Sequence, residues 1–173
     1  YDGHRAVHRA DLEAADLIGR RAGERAVKAL GARKPKSQAV PIVFDRRISS
    51  GMLMTLVSAI NGQSIARGTS FLKDAMGESV FAPGVRVIDD PRRLRGLSSA
   101  PFDGEGLPAE PLTLIDDGVL QCWLLNLATA RQLGLQSNGR GTRSVGASPG
   151  VGSTNLYMEA GDISPEAMIG EIE

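Results

Sequence analysis

Two apolar runs, residues 112–115 and 119–125, meet through Asp116-Asp117-Gly118, and this junction restricts the chain more than any other stretch. Asp-Gly between apolar runs signals a tight hairpin, because both central positions take left-handed backbone angles that few residues adopt cheaply. An antiparallel pair is therefore expected inside the fold. Both faces of the second run are apolar: Val119, Trp123 and Leu125 lie on one, Leu120, Cys122 and Leu124 on the other. That pattern predicts a central strand covered on both sides.

Residues 48–71 supply the helix such a sheet needs. Met52 or Leu53, Leu56, Val57, Ile60 and Ser64 recur at three- and four-residue steps, which turns one helix face to a core. Ser49 and Ser50 stand where a hydroxyl can cap the first turn, and Gly62 and Gly68 mark places to stop. Asn61 falls at the edge of the buried face, where its amide requires a partner or a cavity. A second helix runs from Asp11, as cap, to Leu30, with Gly31 as its stop, and sets Leu12, Ala15, Ile18, Ala22, Ala26 and Leu30 on one side. Residues 32–38, basic and proline-containing, form a candidate domain boundary. Residues 40–44 and 85–88 read as short strands, 70–73 and 79–81 as short extended pieces, and 155–159 as a final strand. Residues 128–133 read as a short helix, 134–153 as a loose glycine-rich stretch, and Ser164-Pro165-Glu166 opens a last helix. The fold class is α+β: a mostly antiparallel β-sheet with a central packed helix and an N-terminal helix.

Twenty basic and 20 acidic residues balance over 173 positions, so no global field argues for direct contact with nucleic acid or a membrane surface. The single cysteine, Cys122, excludes an intramolecular disulfide framework and fits a reducing compartment. No apolar run approaches the ~18 residues of a membrane span. The chain opens on Tyr1 with no stretch that reads as a signal peptide, and it is expected to be a soluble, cytoplasmic piece of a longer protein.

Several motifs have the spacing of chemistry without its residues. His4 and His8 are four apart, as in a helical zinc motif, but Arg5 stands where the general base belongs and no third histidine exists. Gly146-Ala147-Ser148-Pro149-Gly150 has the pattern of a nucleophile elbow, yet Pro149 has no N–H for an oxyanion hole and no histidine follows. Residues 141–146 have P-loop spacing, with Ala147 where the lysine must be. Cys122 reads as a buried structural thiol. Asp103 and Glu105 stand two apart in the glycine-supported loop 101–106, where carboxylates bind cations, do acid–base work or make turn hydrogen bonds. Arg92, Arg93 and Arg95, without interleaved aromatics, read as a solvated surface patch.

Several blocks resemble one family. Ile60-Asn61-Gly62, Ala66-Arg67-Gly68-Thr69-Ser70-Phe71-Leu72-Lys73-Asp74 and Val80-Phe81-Ala82-Pro83-Gly84 are similar to the TldD/PmbA proteins, once called modulators of DNA gyrase. Pro101-Phe102-Asp103-Gly104-Glu105-Gly106, Asp117-Gly118-Val119-Leu120, Ala130-Arg131-Gln132-Leu133-Gly134-Leu135 and Thr154-Asn155-Leu156-Tyr157 extend the likeness. The match is to the PmbA branch, also called TldE. It implies that residues 1–34 are the tail of the family's middle region and that residues 36–173 are a C-terminal domain lacking its last part. The resemblance further implies a cytoplasmic metalloprotease complex that degrades unfolded peptides and matures peptide-antibiotic precursors. In it a TldD-like partner carries zinc on a His-Glu-x-x-x-His helix. The corresponding stretch here, Leu56-Val57-Ser58-Ala59-Ile60-Asn61-Gly62, has neither histidine nor glutamate. No catalytic or metal-binding residue is therefore expected in this chain, which would act as a non-catalytic subunit beside that partner and bind the peptide substrate; a dimer is also expected. Asn61, Arg67, Asp103 and Glu105 are its candidate substrate or partner contacts. The alternative is a regulatory protein that binds DNA gyrase. An independent hydrolase would have to rely on Asp103 and Glu105.

Overall fold

A computed structural model describes residues 1–171, and the two remaining positions of the expected 36–173 domain lie outside the described residues. The chain forms two compact units, Tyr1–Ile42 and Val43–Glu173. In the first, a 3₁₀ turn at Arg9–Asp11 precedes helix α1, Ala15–Lys28. The helix starts later than expected, capped by the backbone of Ala14 rather than by Asp11. The reason is the segment before it. Asp11 closes the 3₁₀ turn, and Glu13 turns its carboxylate to Arg21. Arg21 also binds Asp2 at 2.7 Å, and Arg25 binds the other oxygen of Asp2 at 2.9 Å. The Arg25 guanidinium, reinforced by the Gly3 N–H and Arg21, holds the Asp2 carboxyl down at about 2. Of the expected apolar side of α1, Ile18 and Ala22 are half-buried and the rest are exposed.

The second unit is built on a four-stranded antiparallel sheet in the order β3-β2-β1-β6. Its strands are β1 (Val87–Asp89), β2 (Leu112–Asp116), β3 (Val119–Leu120) and β6 (Leu156–Met158). The β2–β3 hairpin is the one the sequence announces: Ile115 pairs with Leu120, Asp116 with Val119, and Asp117 (φ 47°) and Gly118 (φ 80°) make the left-handed turn. A side chain at Gly118 would come within 2.5 Å of the Phe81 carbonyl, so the turn also lets the 80–85 loop lie against it.

Helix α2, Arg46–Ala59, packs Leu56, Val57 and Ala59, followed by Ile60, against Val87, Leu114, Ile115, Leu120 and Leu124 of the sheet region. Burying each large aliphatic side chain there contributes roughly 2 kcal/mol before entropy is charged against it. The expected 48–71 helix is not continuous. It is capped by Asp45, not by Ser49 or Ser50, and it ends before Ile60. There the backbone leaves the helix to meet a distant segment: the Leu124 N–H donates to Ile60 O (2.9 Å) and the Gly62 N–H to Leu124 O (2.8 Å). The Asn61 side chain then caps a new short helix, α3 (Gly62–Ala66). Ser64 is only half-buried, and Ile65 takes the buried place.

Other expectations shift for the same kind of reason. Residues 119–125 do not form a central strand: β3 is a two-residue strand at the end of the sheet, and beyond the Gln121 N–H, which still donates to Leu114 O (2.9 Å), the chain leaves the ladder so that Leu124 can bridge to Asn61. They are nonetheless well covered, with Leu120 and Leu124 fully buried. Residues 40–44 form no strand: among the described residues no ladder neighbour pairs with them, and Pro41 has no N–H to offer. Of 70–73, residues 71–73 lie in a turn that runs on to 74, and 79–81 keep one bridge, Ser79 to Val119. Helix α4, Leu127–Leu133, is closed by a reciprocal capping box between Asn126 and Thr129. The stretch read as loose contains a hairpin, β4 (Gly141–Thr142) with β5 (Gly150–Val151). Helix α5, Pro165–Gly170, is capped by Ser164 as expected.

Candidate functional site

Three of the four candidate residues converge on the β4–β5 hairpin. Asp103 accepts the N–H groups of Glu105 (2.9 Å) and Leu107 (3.0 Å) through one oxygen and that of Gly141 (2.8 Å) through the other. Glu105 accepts the Leu127 N–H at 2.8 Å, which fixes the start of α4. A side chain at Gly141 would lie 2.8 Å from the Glu105 carboxylate and 2.9 Å from that of Asp103, so β4 lies directly on both acids. Asn61 accepts the Gln63 N–H (2.9 Å) and donates to Val151 O (3.1 Å), which answers the question its position at a buried edge posed. Arg67 stands apart, exposed at the end of α3.

Two residues the sequence did not single out complete the frame. Fully buried Asn126 donates to Pro149 O (3.2 Å) and Gly150 O (3.1 Å), holding β5 from the other side. Arg140 and Asp89 form an ion pair at 2.5 Å with both side chains wholly out of solvent. The other four guanidinium N–H groups go to the carbonyls of Asn138, Gly139, Asp89 and Glu110, at 2.7–3.2 Å. The second Asp89 oxygen takes the Thr154 N–H (2.7 Å) and hydroxyl (3.0 Å). Every donor and acceptor is matched, as burial of a charge pair demands. No local pattern marks this pair, since its members are 51 positions apart.

The carboxylates are occupied by backbone N–H groups and serve as clamps. A zinc site finds no fit here: among the described residues no three His, Cys, Asp or Glu side chains come together, and α2 presents none of them. His4 accepts the Glu13 N–H at 3.3 Å in the first unit, away from any helix. Burial pushes the Cys122 thiol up, and its Sγ lies 3.6 Å from Thr113 O, the environment of an unreactive structural cysteine. Ser148 sits in an exposed loop rather than on a strand-to-helix turn. Of the three clustered arginines, Arg92 binds Glu110 at 2.6 Å and Arg93 stacks 5.0 Å from the Tyr157 ring centre.

Among the described residues, one concave feature is apolar. Met52 and Leu56 of α2, Phe71, Leu72, Val80 and Phe81 line an open groove of about 320 Å³. Phe71 and Met52 form its rim, 78% and 51% exposed. Periodicity could not find it, because Phe71 comes from a turn and Phe81 from a bend. No helix among the described residues is long and apolar enough to cross a membrane.

The sequence pattern of the PmbA/TldA metallopeptidase C-terminal domain matches residues 37–173. The metalloprotease PmbA of Escherichia coli O157:H7 is 36% identical over 129 residues, 75% of this chain and 29% of that protein. A Thermotoga maritima structure described as a modulator of a DNA gyrase superposes with a TM-score of 0.86 at 32% identity, over 96% of this chain and 38% of that one. TldE from Thermococcus kodakarensis superposes with a TM-score of 0.78 at 26% identity, over 94% and 37%. The chain thus spans about a third of the length of the relatives it matches.

Proposed function

The chain belongs to the PmbA/TldD family of metallopeptidases, and from that premise we propose that it is a TldE-like, non-catalytic subunit of a cytoplasmic metalloprotease complex. A TldD-like partner holds the zinc and cuts unfolded peptides or peptide-antibiotic precursors. This chain binds and orients the peptide. The observation that carries the reading is the make-up of α2, which offers Leu56, Val57, Ser58 and Ala59 where the family's metal-bearing helix needs histidine and glutamate. A zinc-activated water requires ligands that keep the ion in place, and this helix has none to give.

The apolar groove beside α2 supplies the binding surface: its volume suits one or two apolar side chains of an extended peptide. Arg67, exposed on α3, is available to a peptide carboxylate or to the partner. Asn61, Asp103 and Glu105 act indirectly, through the backbone they hold. The test is metal content and cleavage of an unfolded peptide by the full-length protein, alone and mixed with a TldD-like subunit. Cleavage and zinc only in the mixture are expected. Zinc bound by the full-length protein alone, with chelator-sensitive cleavage, overturns the reading. Recovery of DNA gyrase in place of a metallopeptidase from a pull-down favours the regulatory alternative.

A further inference from the structure

Two of the four asparagines, Asn61 and Asn138, precede glycine, and the other two precede Leu127 and Leu156. Asn-Gly is the dipeptide that most readily loses its side-chain amide, because glycine leaves the following backbone nitrogen unhindered as a nucleophile. Neither glycine has room for a side chain. At Gly139 φ is 69° and an added Cβ would lie 2.5 Å from Pro108 O, while at Gly62 it would lie 2.7 Å from Leu124 O. The fold therefore imposes both sensitive dipeptides.

The two are guarded differently. At Asn61 the side chain is tied at both ends, and the Gly62 N–H is committed to Leu124 O at 2.8 Å. At Asn138 Oδ1 accepts the Leu125 N–H (2.9 Å) and Nδ2 donates to Trp123 O (2.7 Å), so its Cγ cannot swing to the next nitrogen while both bonds hold. The Gly139 N–H, however, has only a long contact with Ser137 Oγ, at 3.4 Å, among the described residues. We propose that Asn138–Gly139 is a deamidation site which the fold shields through these two side-chain bonds, and that its conversion dismantles the cage around Arg140. Once the side chain is released, the Gly139 nitrogen attacks Cγ. The N–Cγ bond forms, the Cγ–Nδ2 bond breaks, and ammonia leaves with the proton of the attacking nitrogen. Water then opens the cyclic imide to aspartate or, at its other carbonyl, to isoaspartate. Aspartate turns a carboxylate oxygen toward Trp123 O where a donor stood. Isoaspartate lengthens the main chain by a methylene between residues 138 and 139, whose carbonyls hold Arg140 Nη1 at 3.0 and 3.1 Å.

The experiment keeps the full-length protein at mildly alkaline pH, folded and in concentrated guanidinium chloride, and follows both dipeptides by mass-spectrometric peptide mapping. In denaturant the two are expected to convert at similar rates. In the folded protein Asn138 should convert at least about tenfold more slowly than in denaturant, the mark of a reaction that waits for a local opening. Asn61 should be slower still, since its nucleophile must also be released. Protein enriched in the product at 138 should unfold at a lower temperature than fresh protein, and Asn138→Asp, made directly, should do so without ageing. Equal rates at Asn138 in the folded and unfolded chain overturn the shield, and so does faster conversion of Asn61 than of Asn138 in the folded protein. An aged product as stable as fresh protein overturns the link to Arg140. If Asn138→Asp does not fold, the wild-type rates and the stability of the aged protein decide alone.

Discussion

Replacing Arg140 with methionine keeps most of the side-chain volume and removes one buried charge. Asp89 then retains the Thr154 N–H and hydroxyl but loses the guanidinium at 2.5 Å. Four carbonyls, of Asn138, Gly139, Asp89 and Glu110, lose their donors at the same time. Breaking one side of a buried ion pair costs about 3–5 kcal/mol, because the other charge stays out of water without a partner. Domains of this kind have about 5–15 kcal/mol in total, so the loss is a large part of the whole. With a urea dependence of about 2 kcal/mol per molar, the midpoint should fall by roughly 1.5–2.5 M. Trp123, the only tryptophan, lies in the second unit and reports on it by fluorescence. The pair Arg140→Met with Asp89→Leu should not recover wild-type stability, since the four carbonyls and Thr154 stay unmatched. A midpoint shift below about 0.5 M for Arg140→Met would refute the reasoning, and would mean that water reaches Asp89.

Gly141→Ala should cost about 1–3 kcal/mol, read by thermal unfolding, because its methyl group meets the Glu105 and Asp103 carboxylates at 2.8 and 2.9 Å. Asp2 is an acid whose folded-state pKa, about 2, lies below its ordinary 3.8. The stability it lends is fully present above about pH 4 and is lost as pH falls through about 2. Amide chemical shifts of α1 should follow that course, and Asp2→Asn should abolish it. Phe71→Asp, at a 78% exposed rim position, should leave the unfolding midpoint unchanged and weaken binding of an apolar unfolded peptide by the full-length complex. Equal peptide affinity would count against the groove.

What could be read from the sequence was chemistry settled within a few residues. Asp117-Gly118 dictates its turn wherever the chain goes, and Ser164-Pro165 starts a helix by itself. The end of α2 depends instead on Leu124, more than 60 positions away, so the apolar period that runs past Asn61 gives no warning of the break. Residues 40–44 have strand composition but, among the described residues, no neighbour to pair with, and composition alone does not make a ladder. Asp103 and Glu105 stood out as loop carboxylates, while their role came from Gly141 and Leu127, which lie far along the chain. The groove was hidden for the same reason: its walls come from α2 and from a turn and a bend brought beside it.

The β4–β5 ladder has two residue pairs, Gly141 with Val151 and Thr142 with Gly150. A hairpin that short does not persist alone in water. Its order is inherited from Asn61, Asp103 and Asn126, which must first be brought to one place at the entropic cost of closing long loops. The hairpin should therefore be the last element to lock during folding and the first to let go. Amide deuteration at Gly141 and Gly150 would record this, exchanging through a local opening well before the β1–β2 ladder does.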